Sequence, residues 1–175
     1  HLVFMARINK KKGYRTIFNF AEIIKNKSYK IVIDFYGPIE ENDKIDFLSL
    51  VDKYSNIVKY HGVLNPNDIY STLSKYDIML LPTTYYTEGF PGSILDAYIA
   101  GIPVIVTNWM HAQEFVKDGK TGFIVPFDDP QYEFNKKIME LYNNRERLKS
   151  MKQNARNESY KYSSDEAWEI LKEFL

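Results

Sequence analysis

Residues 78–107 read IMLLPTTYYTEGFPGSILDAYIAGIPVIVT, in which two short apolar runs stand on either side of a helical pattern. The runs Ile78–Leu81 and Val104–Thr107 have the length and composition of buried strands. Between them, Pro91–Ala100 predicts a helix with Pro91 at its first position, where the N–H that proline lacks is not needed. A strand, a helix and a second strand in this order predict a parallel βαβ unit.

The same alternation continues in both directions along the chain. Four further candidate strands are Leu2–Ala6, Ile31–Tyr36, Ile57–Tyr60 and Phe123–Val125. Three further candidate helices are Tyr14–Ile24, Lys44–Tyr54 and Asn67–Lys75. From about Asp129 onward, the pattern indicates three successive helices without strands. Together these elements predict one α/β domain over residues 1–175, a three-layer, Rossmann-like, doubly wound parallel sheet of about six strands with C-terminal helices.

The composition excludes several classes of protein. The chain has 175 residues with 23 Lys and Arg against 23 Asp and Glu, so its formal net charge is zero. A dedicated nucleic-acid binder normally carries a basic excess, so we expect no nucleic-acid partner. The sequence contains no cysteine, which excludes disulfides, thiolate zinc sites and cysteine nucleophiles.

The sequence also lacks the patterns of membrane and export segments. Its longest apolar stretches, such as Ile102–Val106, are far too short to span a bilayer. At the N-terminus the apolar residues precede the charged ones, which is the reverse of a signal peptide. We therefore expect a protein of the cytoplasm without a transmembrane segment.

Ligands of open parallel sheets bind beyond the carboxyl ends of the strands, so these segments are the expected place of a site. Two common nucleotide motifs are missing from them. No two of the 8 glycines lie two residues apart, which excludes the GxGxxG fingerprint of usual NAD or FAD binding. The full P-loop pattern is absent as well.

Positive charges follow the first candidate strand. Arg7 comes directly after it, and Lys10, Lys11 and Lys12 precede Gly13. A guanidinium can hold a phosphate through two hydrogen bonds, and a nearby ammonium adds a point charge. Taken alone, the segment fits a solvated basic turn at least as well as a phosphate site.

The loop and helix after Ile78–Leu81 carry two acids and a helix N-terminus. The first N–H groups of the helix, at Gly92 and Ser93, point out of its end, where the helix dipole favours an anion. Glu88 precedes the helix by about one turn, and Asp96 shares a helix face with Gly92. Such an arrangement suits sugar hydroxyls beside a phosphate, but two solvated acids explain the pattern equally well.

The histidines and the loop aromatic residues carry less information. His61 and His111 are best interpreted as structural, because no partner residues at catalytic spacing accompany them. Tyr85 and Tyr86 lie in the loop on the expected ligand side and could flank a ring.

The segment Glu88-Gly-Phe-Pro-Gly-Ser-Ile-Leu-Asp-Ala, followed by Ala-Gly-Ile-Pro-Val-Ile at residues 100–105, resembles the signature of the group-1 (family four) retaining glycosyltransferases. Further segments fit that family in order and spacing over nearly the whole chain. They are Met5–Ile8, Lys12–Gly13, Phe35–Pro38, Tyr60–Val63, Tyr76–Pro82 and Glu114–Gly122. The resemblance is to the family's C-terminal domain, which binds the nucleotide-sugar donor and is one half of the GT-B fold.

The resemblance implies catalytic roles for three charged residues. Arg7 and Lys12 would bind the donor diphosphate, and Glu88 would contact the transferred sugar. It also implies a set of substrate-binding residues for the ribose hydroxyls, the donor phosphates and the base. These are Asp96 on the ribose, Gly92 and Ser93 through their backbone, the base-contacting segment Gly62, Val63 and Leu64, and the motif residues Gly37 and Phe90.

Three positions depart from the family pattern. Asp96 stands where a glutamate is usual, so its ribose contact is either direct or through water. Pro91 replaces a common glycine and cannot donate an N–H, and Ala6 replaces the usual glycine before Arg7. None of these changes removes a charged group, so the donor site is still implied.

The resemblance further implies a retaining hexosyltransferase that uses no metal or other cofactor. Its acceptor would be a glycan or a lipid-linked glycan, bound by an N-terminal domain that this chain lacks, so we expect the chain to bind donor and transfer little sugar. The full-length enzyme would be cytoplasmic or peripheral to the inner face of the cell membrane.

Two other functions stay open on the sequence. The first is a GT-B protein that is not a transferase, such as a sugar-nucleotide epimerase or a phosphorylase. The second is a non-catalytic, doubly wound interaction domain whose charges lie on the surface.

Overall fold

The computed structural model of the protein describes residues 1–172 and contains one six-stranded parallel sheet. Its strands are β1 Leu2–Met5, β2 Ile33–Tyr36, β3 Val58–Tyr60, β4 Ile78–Leu81, β5 Val104–Thr107 and β6 Gly122–Val125. Their order across the sheet is β3-β2-β1-β4-β5-β6. All six strands predicted from the apolar runs are present, and their ends shift by at most two residues.

Helices cover both faces of the sheet. They are α1 Tyr14–Lys27, α2 Lys44–Lys53, α3 Ile69–Leu73, α4 Gly92–Ile99, α5 Ala112–Phe115, α6 Gln131–Asn143, α7 Arg145–Ser159 and α8 Ser164–Lys172. Helix α1 packs against α6, whereas α4 packs against both α3 and α7, which defines two helical layers. The prediction of a three-layer, doubly wound fold is therefore confirmed. No helix in the described part of the chain combines the length and apolar composition that crossing a membrane requires.

The central strands form the core. Every residue of β4 and β5 is buried, as expected where helices cover both faces of a parallel sheet. On the α1 side, Phe18 stacks on Phe35 of β2 with ring centroids 5.4 Å apart, and Phe47 of α2 meets both rings edge-on. This aromatic packing fixes α1 and α2 on the sheet.

The strand order places the direction change of the chain between β1 and β4. These strands are neighbours, with Leu2 opposite Ile78 and Val3 opposite Met79. From β1 the chain moves outward to β2 and β3, and from β4 it moves the opposite way to β5 and β6. Because connections between parallel strands are right-handed, the two directions put helices on opposite faces and open a crevice above β1 and β4.

Two predicted elements differ in detail. Pro91 was expected at the first helical position, but its ψ of 117° is extended and α4 begins at Gly92. The ring of proline fixes φ alone, so it permits this extended residue before the helix as readily as a helical one. The predicted helix Asn67–Lys75 is divided into a 3-10 turn, Pro66–Asp68, and the short α3.

One glycine brings the loops after β1 and β4 together. Gly13 has a φ of +83°, and a Cβ at this position would overlap the carbonyl oxygen of Pro82. Lys11 strengthens the contact, since its carbonyl oxygen accepts hydrogen bonds from the Thr84 N–H at 2.7 Å and the Thr83 hydroxyl at 3.2 Å. The backbone itself therefore fastens the two loops.

We expect Gly13→Ala to destabilise the domain by at least about 2 kcal/mol, because it adds both an unfavourable positive φ and a clash with backbone. Urea denaturation followed by circular dichroism measures the loss. The control is Gly89→Ala, since a Cβ at Gly89 meets no atom within 4 Å. Equal stability of the two variants would contradict the close approach at Gly13.

Candidate functional site

An open cleft of about 560 Å³ lies at the carboxyl ends of β1 and β4. It is bordered by the loop after β1, the loop after β4 and the first residues of α4. Among its lining residues are Arg7, Asn9, Lys12, Glu88, Gly92 and Ser93. The structure thus brings together all three residues for which catalytic roles are predicted, on one face of the molecule.

An ion pair joins the two loops inside the cleft. The Lys12 ammonium lies 2.6 Å from Oε2 of Glu88, and the side chains are only 18% and 14% exposed, respectively. Lys12 is held in place at its backbone, because its N–H donates to the side-chain oxygen of Asn9 at 2.8 Å. The cleft therefore presents a cation and an anion in direct contact.

Thr83 contacts both loops that carry this pair. It is fully buried, and its hydroxyl lies 3.2 Å from both Oε2 of Glu88 and the carbonyl oxygen of Lys11. The hydroxyl oxygen of Thr83 also accepts a hydrogen bond from the Tyr85 N–H at 3.1 Å. A single hydroxyl thus connects the loop that carries Lys12 with the loop that carries Glu88.

Arg7 lies at the open side of the cleft. Its guanidinium is 3.8 Å from Oε1 of Glu40 and its side chain is 67% exposed, so the pair is loose. Glu40 is held separately by the Asn9 side-chain amide at 2.8 Å. The guanidinium consequently keeps most of its five donors available for a ligand.

Lys10 is directed away from the cleft. Its backbone N–H donates to Asp43 at 2.9 Å, and its ammonium lies 3.3 Å from the same carboxylate. Burial by itself would raise the pKa of Asp43, but the hydrogen bonds from Lys10 outweigh it and hold that pKa below its ordinary value. Asp43 therefore anchors the loop as an ionised carboxylate.

The N-terminus of α4 opens into the cleft. Gly92 and Ser93 are its first residues, so their N–H groups have no carbonyl partner within the helix. A Cβ at Gly92 would meet no atom within 4 Å, which leaves the backbone open to a ligand. The partial positive charge of the helix end adds to the charges of Arg7 and Lys12.

The predicted base-contacting segment lies farther along the same edge, at the ends of β2 and β3. The N–H of Gly37 donates to the carbonyl oxygen of Gly62 at 2.8 Å, and Val63 is 68% exposed. Leu64 packs against the hydrophobic core. None of these four residues lines the 560 Å³ cleft. The base contacts of Gly62, Val63 and Leu64 and the substrate-binding role of Gly37 stay predictions.

Comparison with known proteins assigns the chain to a family. The family described as glycosyl transferases group 1 matches residues 1–158. The chain belongs to this family. The resemblance stated from the sequence is therefore confirmed.

Among similar sequences is the capsular polysaccharide biosynthesis glycosyltransferase CapM of Staphylococcus aureus, 31% identical over 96% of this chain and 43% of that protein. Another is the putative glycosyltransferase EpsD of Bacillus subtilis, 25% identical over 93% of this chain and 41% of that protein. The chain thus spans less than half the length of these two relatives.

Solved structures share the fold. The pneumococcal O-GlcNAc transferase GtfA, solved with UDP and GlcNAc, matches with a TM-score of 0.80 and 23% identity over 99% of this chain and 34% of its own. The C-terminal domain of the group 1 glycosyl transferase LpcC from Francisella tularensis matches with a TM-score of 0.79 and 20% identity, covering 94% of this chain and 87% of its own. This group 1 glycosyltransferase chain therefore has the fold of one half of a GT-B enzyme.

Two further predicted substrate-binding residues of this chain lie outside the cleft lining. Phe90 stacks on Phe115 at 4.3 Å between ring centroids and also contacts Tyr162 at 5.1 Å. Asp96 is partly buried beside Tyr70 of α3. Burial raises the pKa of Asp96, and an interaction with the Tyr70 hydroxyl offsets part of that rise.

Thr83 and Asn9 were not predicted as site residues from the sequence. Each is a polar side chain placed just beyond a buried strand, which was the available signal. Each contacts a backbone group, the Lys11 carbonyl for Thr83 and the Lys12 N–H for Asn9, and sequence spacing does not show which backbone groups a loop exposes.

We expect Asp96→Asn to make the free domain more stable at pH 7. Burial raises the folded-state pKa of Asp96 above its ordinary value of 3.8. The free energy of unfolding therefore falls as the pH rises from 3.8 through the folded-state pKa. At higher pH the cost of keeping this carboxylate ionised remains. Urea denaturation at several pH values measures the difference between variant and wild type. It should shrink as the pH falls toward 3.8. A variant less stable than wild type at pH 7 would show that the carboxylate is favourably placed in the free protein.

Proposed function

We propose that this glycosyltransferase domain binds a nucleoside diphosphate sugar in the 560 Å³ cleft and that the enzyme transfers the sugar with retention of configuration. The observation that carries the proposal is the meeting of Arg7, the Lys12–Glu88 pair and the N-terminus of α4 around one cleft at the β1–β4 crevice. This position is where ligands of doubly wound sheets bind.

The diphosphate is the part of the donor that this cleft suits best. Arg7 supplies an exposed guanidinium, Lys12 an ammonium, and Gly92 and Ser93 two backbone N–H donors. Charge-assisted hydrogen bonds of this kind are about twice as strong as neutral ones. We propose that these groups balance the diphosphate charge without a metal ion or other cofactor.

The same groups serve the chemical step. Breaking the bond between the anomeric carbon and the diphosphate leaves the electron pair on a phosphate oxygen and positive character on the sugar. Arg7, Lys12 and the helix end stabilise the departing diphosphate, and removal of one such directed donor costs about 10²–10³ in rate. Glu88 lies beside Lys12 and is the carboxylate that faces the transferred sugar.

The partial burial of Asp96 bears on ribose binding. A carboxylate that is desolvated in the free domain gains when hydroxyl donors reach it, so we propose that Asp96 holds the ribose hydroxyls directly or through a water. The loop at residues 62–64, in which Val63 is exposed, then contacts the base.

The relatives support a transferase of polysaccharide assembly. CapM is described as a capsular polysaccharide biosynthesis glycosyltransferase, and GtfA was solved with UDP and GlcNAc. We propose a UDP-type hexose donor and a glycan or lipid-linked acceptor, with a further domain that completes the acceptor site. The enzyme would then work in the cytoplasm or at the inner face of the membrane.

Thermal denaturation with UDP, GDP and ADP and their sugars tests donor binding. At a concentration one hundred times the Kd, a specific ligand adds about 2.7 kcal/mol, which raises the Tm by about 5–10 °C in a domain of this size. We expect this rise with at least one nucleotide, and we expect it to persist in EDTA.

Arg7→Ala should reduce the rise strongly. The matched control is Arg15→Ala, because Arg15 is similarly exposed but its guanidinium pairs with Asp46 on α2, outside the cleft. If no nucleotide stabilises the chain, it is an interaction domain. If the nucleotide raises the Tm of the Arg7→Ala variant as much as that of the wild type, the nucleotide does not bind in the proposed cleft.

Two substitutions should change nucleotide affinity in opposite directions. Glu88→Gln removes the negative charge 2.6 Å from the Lys12 ammonium, so UDP should bind about three- to tenfold tighter. Lys12→Met should weaken UDP binding by at least about tenfold. Isothermal titration measures both, and weaker binding to the Glu88→Gln variant would show that the carboxylate does not oppose the diphosphate.

A further inference from the structure

A second open groove, of about 950 Å³, lies at the carboxyl ends of β5 and β6. Its walls are the loop between β5 and α5, helix α5 with the segment after it, and the segment after β6. The loop after β4 reaches it through Tyr86. Its volume is within the range of sites that bind small molecules.

We propose that this groove binds a neutral oligosaccharide segment of the acceptor, so that the donor domain itself contributes to acceptor recognition. The inference rests on the proposed transferase function, because it assigns the second substrate of the same reaction.

Polar side chains without partners give the groove its hydrogen-bonding capacity. Asn108, Gln113 and Asp128 line it and are exposed, and within residues 1–172 none of their side chains forms a hydrogen bond or an ion pair. Amides offer both donors and acceptors, and a carboxylate accepts at two oxygens. These are the groups that the hydroxyls of a sugar require.

Two aromatic rings form part of the apolar lining. Tyr86 and Phe127 meet edge-to-face with ring centroids 5.3 Å apart, and Tyr86 remains 53% exposed. An aromatic ring with a polar tip can cover the apolar C–H face of a sugar ring while its hydroxyl stays hydrogen-bonded. The groove therefore combines a ring surface with planar polar groups.

The charges of the groove favour a neutral ligand. It contains two carboxylates, Asp118 and Asp128, against the single ammonium of Lys117. Oδ1 of Asp118 already accepts a hydrogen bond from the N–H of Ile124 at 2.9 Å. A diphosphate would be repelled here, which separates this groove from the donor cleft.

The loop after β4 connects the groove to the reaction centre. Tyr86 lines the groove and Glu88, two residues later, lines the donor cleft. The N–H of Met110 donates to the carbonyl oxygen of Tyr86 at 2.9 Å, which ties this loop to the loop that carries Asn108. An oligosaccharide in the groove would thus extend toward the sugar held at Glu88.

Intrinsic fluorescence can report on occupancy of the groove. The chain has two tryptophans, and Trp168→Phe leaves only Trp109, which is buried and directly follows Asn108. The Trp168→Phe protein is titrated with lactose, cellobiose and N,N′-diacetylchitobiose. We expect a saturable change in Trp109 emission with at least one of them.

Two variants assign that change to a site. Asn108→Ala combined with Gln113→Ala should weaken the disaccharide response by at least about tenfold and leave stabilisation by UDP unchanged. Lys12→Met should weaken UDP binding and leave the disaccharide response unchanged.

The inference is overturned if none of the three disaccharides gives a saturable change up to tens of millimolar, if the double variant responds like its parent, or if UDP competes with the disaccharide. Stabilisation by at least one of UDP, GDP and ADP in the same preparation separates the two hypotheses. Its presence without a disaccharide response removes only the acceptor groove, and its absence removes the proposed function.

Discussion

The close approach of Gly13 to the carbonyl of Pro82 is the constraint on which the proposed donor cleft depends. Only a residue without a Cβ permits it, and it allows the Lys11 carbonyl to accept from the loop after β4. The next residue, Lys12, is then placed against Glu88, 76 positions away in the sequence. A contact between two backbones thus determines the position of two charged side chains.

The ion pair in turn explains how a neutral chain can maintain the proposed site for a diphosphate. In the free domain Glu88 satisfies the Lys12 ammonium, so neither group is buried without a partner. An ammonium has three donors, so Lys12 can keep Glu88 and still reach a phosphate oxygen. Because the loop that carries Glu88 also lines the groove beyond β5 and β6, the positions of donor and proposed acceptor are linked by one short segment.

The sequence was sufficient for the fold because most strands are short apolar runs, as in Ile78–Leu81, and β2 and β3 each contain one charged residue only. It also placed Arg7, Lys12 and Glu88 correctly at one cleft, since the carboxyl ends of parallel strands share an edge. The sequence did not show that the Phe90 ring packs against Phe115 and Tyr162, because both partners are distant from Phe90 in the sequence. The extended backbone of Pro91 was missed for a related reason: proline suits both the position before a helix and the first position within it.

The position of β3 at the sheet edge has an evolutionary consequence. The loop after β3 contains the exposed Val63, while the Lys12–Glu88 ion pair lies two strands away, above β1 and β4. Exchanging the exposed Val63 in that outer loop would disturb neither the core nor the Lys12–Glu88 ion pair. On the proposed contact between this loop and the base, preference for one nucleobase over another can therefore drift among descendants of this architecture while the Lys12–Glu88 pair is inherited unchanged.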